Sequence, residues 1–429
     1  MITGCQIPLH GLVLSLSEAL DWAHPSLAAH QMRVAYIATT MAREMDIRGT
    51  DLSDILLAAA LHDIGLTITY GDSSESHKGP SENRTWVEAG YELLHQEPFL
   101  SRAAEIVRYL HIPWQEGRGA ATQTGPVPLG SHILSVADAA ERAIDRGAPV
   151  LGQAAFVLKQ VVCLAGNMFH PGCVEAFRTA ARPESFWLDC TSERVYGILL
   201  KQVDWIPLLL DEATIDSIAQ IFARVADSTS PWTSSHSASV AATAVELARR
   251  FTFSPREQSL VRVAGHFHDL GKLTVPSQIL DKQDKPTSQE WAAIRAHPYY
   301  TLRLLDTIGG MSQIAEWAAF HHERADGKGY PFRISAQDLT LGSRIMAVAD
   351  VFSAITEDRP YRKAMSRRAS IDTLNQQVKD GALDGNVVAL LQGNYDEIDA
   401  VRRAEQASYA REQKSLAGRL AERRMAAVC

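Results

Sequence analysis

The sequence has few cysteines, and none of them is in a metal-binding spacing. Five occur among the 429 residues, namely Cys5, Cys163, Cys173, Cys190 and Cys429. The absence of a C-x-x-C pair argues against a thiolate zinc site, and the odd number argues against a disulfide framework. Both observations favour a reducing compartment.

The sequence also lacks the usual signals for membrane insertion and export. We find no apolar run of about 18 residues, the length that a spanning helix needs. Residues 2–20 lack a basic start followed by an apolar core, which argues against a secretory signal. We therefore expect a cytoplasmic protein without a membrane partner.

An excess of basic charge is missing as well. The formal net charge is -8, with 42 Lys and Arg against 50 Asp and Glu, so there is no basic field for duplex nucleic acid. A small anionic ligand would need local cations. The hydrophobic content of 46% is ordinary for a globular protein, and the length suffices for two domains.

Alternating apolar and polar runs are scarce, whereas helical periodicity is common. Apolar residues recur at three- and four-residue spacing over residues 52–61, 131–143 and 240–251. Ser254, Pro255 and Glu257 offer a helix cap, a first-turn proline and a capping-box glutamate. The sequence therefore predicts an all-α fold with almost no sheet.

The two halves of the chain resemble each other. Residues 129–138 read LGSHILSVAD, and residues 341–350 read LGSRIMAVAD. His30 precedes the pair His62-Asp63 by 32 positions, and His236 precedes the pair His268-Asp269 by the same 32 positions. This ordered similarity predicts two copies of one helical domain.

Histidine and aspartate are concentrated in the second copy. His268 and Asp269 follow an apolar helical run, residues 260–267, and can point an imidazole and a carboxylate at one spot. Such donors suit divalent iron, manganese or zinc. The further candidate ligands are His236, His297, His321, His322 and Asp350.

This set resembles the HD-GYP family of phosphohydrolases, a branch of the HD superfamily. The matching motifs are HDLGK at 268–272, HP at 297–298, HHE at 321–323, DGKGYP at 326–331, VAD at 348–350 and DRPYR at 358–362. The similarity covers roughly residues 232–395. It suggests a degenerate HD-type domain at 1–185, a packed helical connector at 186–230, an HD-GYP catalytic domain at 231–397 and a charged helical tail at 398–429.

The resemblance also implies roles for individual residues. One metal ion would be held by His236, His268, Asp269 and Asp350, and Asp269 would bridge to a second ion held by His297, His321 and His322. The implied catalytic residues are Asp269 and Lys272, and the implied substrate contacts are Lys272, Gly327, Gly329, Tyr330, Pro331, Arg359 and Arg362. Trp232 stands where some family members have a glutamate for a third ion, so we expect two divalent ions, iron or manganese.

The first copy has kept fewer of these residues. His30, His62, Asp63 and Asp138 would suffice for one ion, as a vestigial metal site. Trp86 and Leu110 stand where the second ion's ligands would be, His111 alone matches the histidine doublet, and Leu66 replaces the lysine. We expect no catalysis in this copy; whether it binds one ion or none stays open.

The predicted function is second-messenger signalling by a phosphodiesterase that opens a cyclic dinucleotide to the linear form or to mononucleotides. The family resemblance favours cyclic di-GMP. Cyclic GMP-AMP is the alternative, because tandem HD plus HD-GYP chains also occur among its enzymes. A non-catalytic module that binds a nucleotide or a protein partner is a competing class, and a 5'-phosphohydrolase would leave the Gly-Tyr-Pro loop unexplained. The tail is either a solvated helix or a contact for a second copy or a partner.

Overall fold

The computed structural model describes residues 7–23, 29–70, 85–122, 125–202, 209–229, 235–358 and 363–428. It divides into two compact units. The N-terminal unit is Leu9–Leu208, and the C-terminal unit comprises Met1–Pro8 and Leu209–Cys429. Residues of the predicted connector, 186–230, are thus divided between the units, and the predicted domain bounds stay predictions.

Helices make up nearly all of the regular secondary structure in the described residues. The N-terminal unit contains α1 Leu9–Ala23, α2 His30–Glu44, α3 Gly49–Leu61, α4 Ile64–Tyr70, α5 Thr85–Leu94, α6 Ser101–Arg108, α7 Leu129–Arg142, α8 Val150–Val162, α9 Pro171–Ala180, α10 Glu184–Cys190 and α11 Val195–Gln202. The C-terminal unit contains α12 Glu212–Ser228, α13 His236–Arg250, α14 Pro255–Phe267, α15 Ser277–Leu280, α16 Ser288–Arg295, α17 His297–Asp306, α18 Ser312–Ala319, α19 Leu341–Thr356, α20 Arg367–Lys379, α21 Gly385–Gly393 and α22 Tyr395–Val428.

Extended structure is confined to two-residue strands in the described ranges. Strand β1, Ile7–Pro8, pairs antiparallel with β4, Leu209–Leu210. Strand β2, Ala121–Thr122, pairs antiparallel with β3, Gly125–Pro126. The all-α prediction is confirmed.

Helix α13 is the centre of the C-terminal unit, where it packs against α12, α14, α19 and α22. Its approach to α14 is close, because a Cβ atom on Gly265 would lie 2.5 Å from the Cα of Ala241. The predicted capping box of Ser254 and Glu257 is present at the start of α14. The capping box fixes the start of α14, and the close approach holds the end of α14, near His268, against the first half of α13, which begins at His236.

The N-terminal unit repeats this arrangement with α2, α3 and α7 in place of α13, α14 and α19. His30 and His236 are each the first residue of a helix. His62 and His268 each follow directly after the last residue of a helix. The predicted repeat is therefore present at the level of helix boundaries.

A pair of glycines gives a second sign of the repeat. A Cβ atom on Gly65 would lie 1.9 Å from the backbone oxygen of Trp86, and one on Gly271 would lie 2.0 Å from that of His297. Gly65 lies in α4 and Gly271 in the 3₁₀ turn Leu270–Thr274, and both let the segment after the His-Asp pair approach the next helix closely. Trp86 occupies the structural position of His297, as the sequence comparison predicts.

One stretch, Gly49–Thr69, has the length and hydropathy of a membrane-spanning helix. It includes Asp51, Asp54 and Asp63, so it is not an unbroken apolar run of about 18 residues, and the expectation from the sequence is not contradicted. In addition, 78% of its apolar window is buried inside the protein, which is typical of a core helix. A single segment of this kind is weak support for a membrane span.

The C-terminal tail is partly built into the core. Helix α22 packs along α13, and Ile398 and Arg402 on it are buried. Arg402 donates to Asp399 at 2.8 Å, so the buried charge is paired. The first turns of the predicted tail therefore belong to the fold, in contrast to a wholly solvated helix.

Candidate metal centre

Five separate elements bring the predicted ligands of the C-terminal unit to one place. His236 begins α13, His268 and Asp269 follow α14, His297 begins α17, His321 and His322 follow α18, and Asp350 lies within α19. We call these seven residues the C-terminal cluster. All are buried except His322, whose side chain is 27% exposed.

Asp269 lies between two groups of imidazoles. Its Oδ2 is 3.2 Å from Nε2 of His268 and 4.0 Å from Nε2 of His236. Its Oδ1 is 3.3 Å from Nε2 of His297 and 3.9 Å from Nε2 of His321. One carboxylate oxygen thus faces each group, which is the arrangement that a bridging ligand requires.

The remaining ligand atoms complete these two groups. Asp350 places Oδ1 3.1 Å from Nε2 of His236 and Oδ2 3.8 Å from Nδ1 of His322. Ligand atoms of His236, His268 and Asp350 lie within 4.8 Å of one another, and so do those of His297, His321 and His322. The donor set could therefore hold metal ions.

The hydrogen bonds of the histidines indicate that a cation belongs there. Nδ1 of His268, His297 and His321 bonds to the backbone oxygens of Gly265, Ile294 and Ala318 at 2.8, 2.7 and 2.6 Å. Each Nδ1 is then the protonated nitrogen, so each Nε2 presents a lone pair. Nε2 of His297 and Nε2 of His321 are 3.2 Å apart, and Nε2 of His268 is buried without a hydrogen-bond partner. Lone pairs so placed fit a metal ion.

The electrostatics of the cluster favour the protonation states that bind metals. Burial lowers the pKa of His321 well below its usual range, so its imidazole is neutral. Burial would raise the pKa of Asp269, but His268 and Lys272 hold it well below its usual range. A neutral imidazole and an ionised carboxylate are the forms that ligate a cation.

Lys272 lies beside this centre. It sits in the 3₁₀ turn Leu270–Thr274, and its Nζ is 2.5 Å from Oδ2 of Asp269. Its side chain is 20% exposed, so it is reachable from the outside of the cluster. The predicted catalytic lysine is therefore within reach of a group bound at Asp269.

Two glutamates that sequence reasoning gave no role support the site. Oε2 of Glu357 is 3.2 Å from Nδ1 of His236, which fixes that ring. Glu357 follows Asp350 by seven residues, a helical spacing that could have signalled a shared face. Glu323 is buried and accepts hydrogen bonds from the backbone nitrogens of Phe332 and Ile334 at 2.7 and 3.0 Å.

The Gly-Tyr-Pro loop lies against the cluster, and the hydrogen bonds of Glu323 to the backbone of Phe332 and Ile334 hold the end of this loop. The ring of Tyr330 lies 4.8 Å from that of His322, and the peptide bond to Pro331 is cis. Gly327 has a φ of 71°, a conformation that favours glycine. A Cβ atom on Gly329 would lie 2.5 Å from the Cα of Glu323, so this glycine lets the loop fold onto its own backbone.

Some residues that the sequence analysis discusses for the metal and substrate site lie outside the described ranges. Arg359 and Arg362, the predicted substrate cations, lie between the described residues Asp358 and Lys363. Trp232 lies between the described residues Thr229 and Ser235. Their roles stay predictions.

The N-terminal cluster, which we define as His30, His62, Asp63 and Asp138, is also brought together. Nε2 of His30 is 3.3 Å from Nε2 of His62, 3.5 Å from Oδ2 of Asp63 and 3.2 Å from Oδ1 of Asp138. All four residues are buried. Four donors at these separations could surround one ion, as the sequence predicts for a vestigial site.

An arginine distinguishes this cluster from the C-terminal one. Arg142, one turn after Asp138 on α7, donates from Nε to Oδ1 of Asp138 at 2.8 Å, and its NH2 is 3.6 Å from Oδ2 of Asp63. When Asp138 is aligned with Asp350, the residue of the C-terminal unit that corresponds to Arg142 is Ala354. The N-terminal cluster therefore already has a fixed positive charge on both of its carboxylates.

Comparisons with known proteins agree with this organisation. Two families, each described as HD domain, match residues 27–143 and residues 220–387. A 3'3'-cGAMP-specific phosphodiesterase 1 of Vibrio cholerae is 28% identical over 88% of this chain and 90% of its own length. Phosphodiesterase 3 of the same specificity and organism is 27% identical over 83% of this chain and 88% of its own length.

One further relative matches a smaller part of the chain, and one solved structure matches most of it. A cyclic di-GMP phosphodiesterase of Pseudomonas aeruginosa is 38% identical over 33% of this chain and 34% of its own length. The crystal structure of the Vibrio cholerae cyclic GMP-AMP phosphodiesterase V-cGAP3 has the same fold, with a TM-score of 0.64 at 23% identity, covering 91% of this chain and 98% of that one. The chain is thus a tandem HD-domain protein, homologous to the HD-GYP-type cyclic dinucleotide phosphodiesterases.

Proposed function

We propose that the C-terminal cluster hydrolyses a phosphodiester bond of a cyclic dinucleotide. The observation that carries this proposal is the placement of the Asp269 carboxylate, whose two oxygens face two separate groups of imidazoles. Two divalent ions held in this way, iron or manganese by our prediction, would supply Lewis-acid activation of water and of the phosphate.

The protein's own residues would prepare this reaction. Asp269 and Asp350 each direct one carboxylate oxygen to one group of histidines and the other oxygen to the second group, so both would be ligands of the cations. The backbone oxygens that accept from the Nδ1 atoms hold each imidazole in the ligating tautomer. Lys272 adds a positive charge beside Asp269, where it would offset the charge that develops on the scissile phosphate.

The loop at Tyr330 supports a nucleotide as the substrate. Its ring lies next to His322 at the partly exposed edge of the cluster, so a base could stack there while the phosphate reaches the ligands. Arg359 and Arg362 would contribute guanidinium groups for phosphate or for a guanine edge. We assign the protein to the cytoplasm, where such second messengers act.

Two cyclic dinucleotides are candidates. The motifs favour cyclic di-GMP, as set out for the sequence. Cyclic GMP-AMP is favoured by a different observation: the relatives that match along about nine-tenths of their own length are those named 3'3'-cGAMP-specific phosphodiesterases, whereas the cyclic di-GMP enzyme from Pseudomonas aeruginosa matches over about a third.

Product analysis decides between these substrates and tests the activity itself. Protein loaded with iron or manganese is incubated with cyclic di-GMP, cyclic GMP-AMP, cyclic di-AMP and a nucleoside 5'-phosphate, and the products are identified by chromatography and mass spectrometry. We expect linear dinucleotide from one or both guanine-containing rings. Metal-loaded protein that converts none of them would support the non-catalytic alternative, and release of inorganic phosphate from the mononucleotide alone would support the 5'-phosphohydrolase.

A further inference from the structure

Helix α16 carries an arginine and a tryptophan to which the metal centre and the family motifs assign no role. Trp291 and Arg295 are four residues apart and therefore lie on one face of the helix. The helix ends at Arg295, two residues before the cluster histidine His297. This face is thus positioned by the same backbone that positions a predicted metal ligand.

Arg295 has no anionic partner among the residues that the structure describes. Its guanidinium carbon lies 5.0 Å from the centre of the Tyr330 ring. Within the described part of the chain no carboxylate lies within ion-pair distance of it, and its Nε is buried without a hydrogen-bond acceptor. A buried N–H of a charged group that has no acceptor costs free energy, so this geometry suits an acceptor that arrives with a ligand.

A second arginine of the same unit shows what a merely structural pair looks like. Arg303 also stacks on a tyrosine, with its guanidinium carbon 5.1 Å from the Tyr299 ring centre. It differs in being paired with Asp306, 3.8 Å away, and its side chain is 54% exposed. The stacking alone therefore does not explain why Arg295, whose Nε is buried, has no anionic partner among the described residues.

Trp291 extends the same surface outward. Its side chain is large and mostly apolar, yet 45% of it is exposed to solvent. Its ring centre is 6.2 Å from that of Tyr330. Tyr330 in turn lies 4.8 Å from His322 of the C-terminal cluster. A continuous path of aromatic rings and one guanidinium therefore leads from the ligands to the exterior.

We propose that Arg295 binds the uncleaved phosphate of the cyclic dinucleotide and that Trp291 stacks on one of its bases, an inference that rests on the proposed function. A cyclic dinucleotide carries two phosphates, and only one can be at the reacting position. Guanidinium forks match phosphate oxygens, and aromatic faces stack on every base. These two residues are substrate contacts and not metal ligands.

The test compares Arg295→Ala and Trp291→Ala with matched controls, Arg303→Ala for the stacked arginine and Phe156→Ala for an exposed aromatic, 56% exposed in the N-terminal unit. KM, kcat and metal content are measured with cyclic di-GMP and cyclic GMP-AMP, and binding is measured by calorimetry. We expect KM and Kd to rise about tenfold or more in the two variants, as for loss of a contact to a charged or stacked group. The two variants should keep a kcat and a metal content near those of the wild type, and the two controls should keep wild-type values in every measurement. Arg295→Lys should recover part of the lost affinity.

Each outcome decides a different claim. Wild-type turnover with unchanged KM in Arg295→Ala would overturn this inference and leave the proposed function intact. Dinucleotide that binds without turnover, and binds less tightly to Arg295→Ala, would overturn the proposed hydrolysis and uphold the contact. Loss of affinity in Arg295→Ala for one dinucleotide only would replace the phosphate contact with a base-edge contact, and protein that neither binds nor hydrolyses would overturn both proposals.

Discussion

Asp269 is the residue on which the C-terminal cluster depends most, because both groups of imidazoles face it. Asp269→Ala removes one carboxylate oxygen from each group, so we expect loss of both ions and of all hydrolysis. Elemental analysis of the purified variant measures this directly. Asp306→Ala is the control, since Asp306 is half exposed and pairs with Arg303, away from the predicted ligands. Two ions per chain in Asp269→Ala would remove the bridging assignment.

Glu357 offers a second test at the scale of residues, because it contacts Nδ1 of His236 and is not itself a predicted metal ligand. Glu357→Gln keeps the side-chain shape and weakens the acceptor for Nδ1 of His236. Loss of such a partner typically lowers metal affinity about 10- to 100-fold. Competition with a graded series of chelators measures the change, with the exposed Glu316→Gln as the control. Equal metal retention in both variants would leave Glu357 without a supporting role.

The two arginines outside the described residues have a separate expected effect. Arg359→Ala and Arg362→Ala should weaken substrate binding, since each loses a hydrogen bond to a charged group that is worth about 1–3 kcal/mol. Neither is a predicted ligand, so the metal content should not change. Steady-state kinetics together with elemental analysis test both statements, and an unchanged KM in both variants excludes them from the site.

At the scale of elements, the site is held by how closely the loop after α14 presses on α17. The backbone nitrogen of Gly271 donates to Oγ1 of Thr301 at 3.0 Å, and that hydroxyl donates to the backbone oxygen of His268 at 3.1 Å. The His-Asp pair and the helix that starts at His297 are therefore tied through one threonine. Movement of either element would shift ligands of both groups.

Gly271→Ala tests this contact. The new Cβ would lie 2.0 Å from the backbone oxygen of His297, so α17 has to move. We expect a loss of about 1–3 kcal/mol in the free energy of unfolding, as for other overpacked positions, together with reduced hydrolysis. Denaturant unfolding and turnover are measured beside Gly309→Ala, where the added Cβ meets nothing within 4 Å. Equal midpoints for the two variants would contradict the close approach.

At the scale of the whole molecule, the two units contain related His and Asp clusters that differ in their ligands and in the charged residues beside them. The N-terminal cluster has Arg142 on both carboxylates and lacks the ligands of a second group. His62→Ala combined with Asp63→Ala should therefore retain most turnover, measured against a wild-type preparation with the same C-terminal metal content. Abolished hydrolysis in a folded, metal-loaded double variant would make the N-terminal cluster catalytic.

Truncation tests the N-terminal unit as a support for the C-terminal one. A fragment that begins at residue 186 keeps Phe186 and Trp187 but loses their partners: Phe186 stacks on Tyr36 at 5.6 Å, and Trp187 donates to the backbone oxygen of Ala181. It also loses β1, which pairs with β4. We expect a poorly soluble, poorly active fragment, and a fragment from residue 209 should be more soluble. Full solubility and activity of the longer fragment, by sedimentation and turnover, would contradict this expectation.

The sequence by itself determined the helical class, the repeat and the ligand types. These features are local or periodic: helical spacing, the Ser254 capping box and the order of His and Asp motifs are readable from neighbours along the chain. His236 was assigned as a ligand through the family resemblance, and its spacing of 32 positions from His268 recurs between His30 and His62 as part of the repeat.

Only the tertiary structure decided which atoms face each other. The division of Asp269 between two imidazole groups, the hold of Glu357 on His236 and the unpaired state of Arg295 depend on side chains far apart in sequence that meet where helices cross. Arg142 shows the reason clearly. In sequence it is one more charge at a helix end, and only the packing of α7 beside α3 places its guanidinium on Asp63. Long-range proximity is set by packing, which no local pattern encodes.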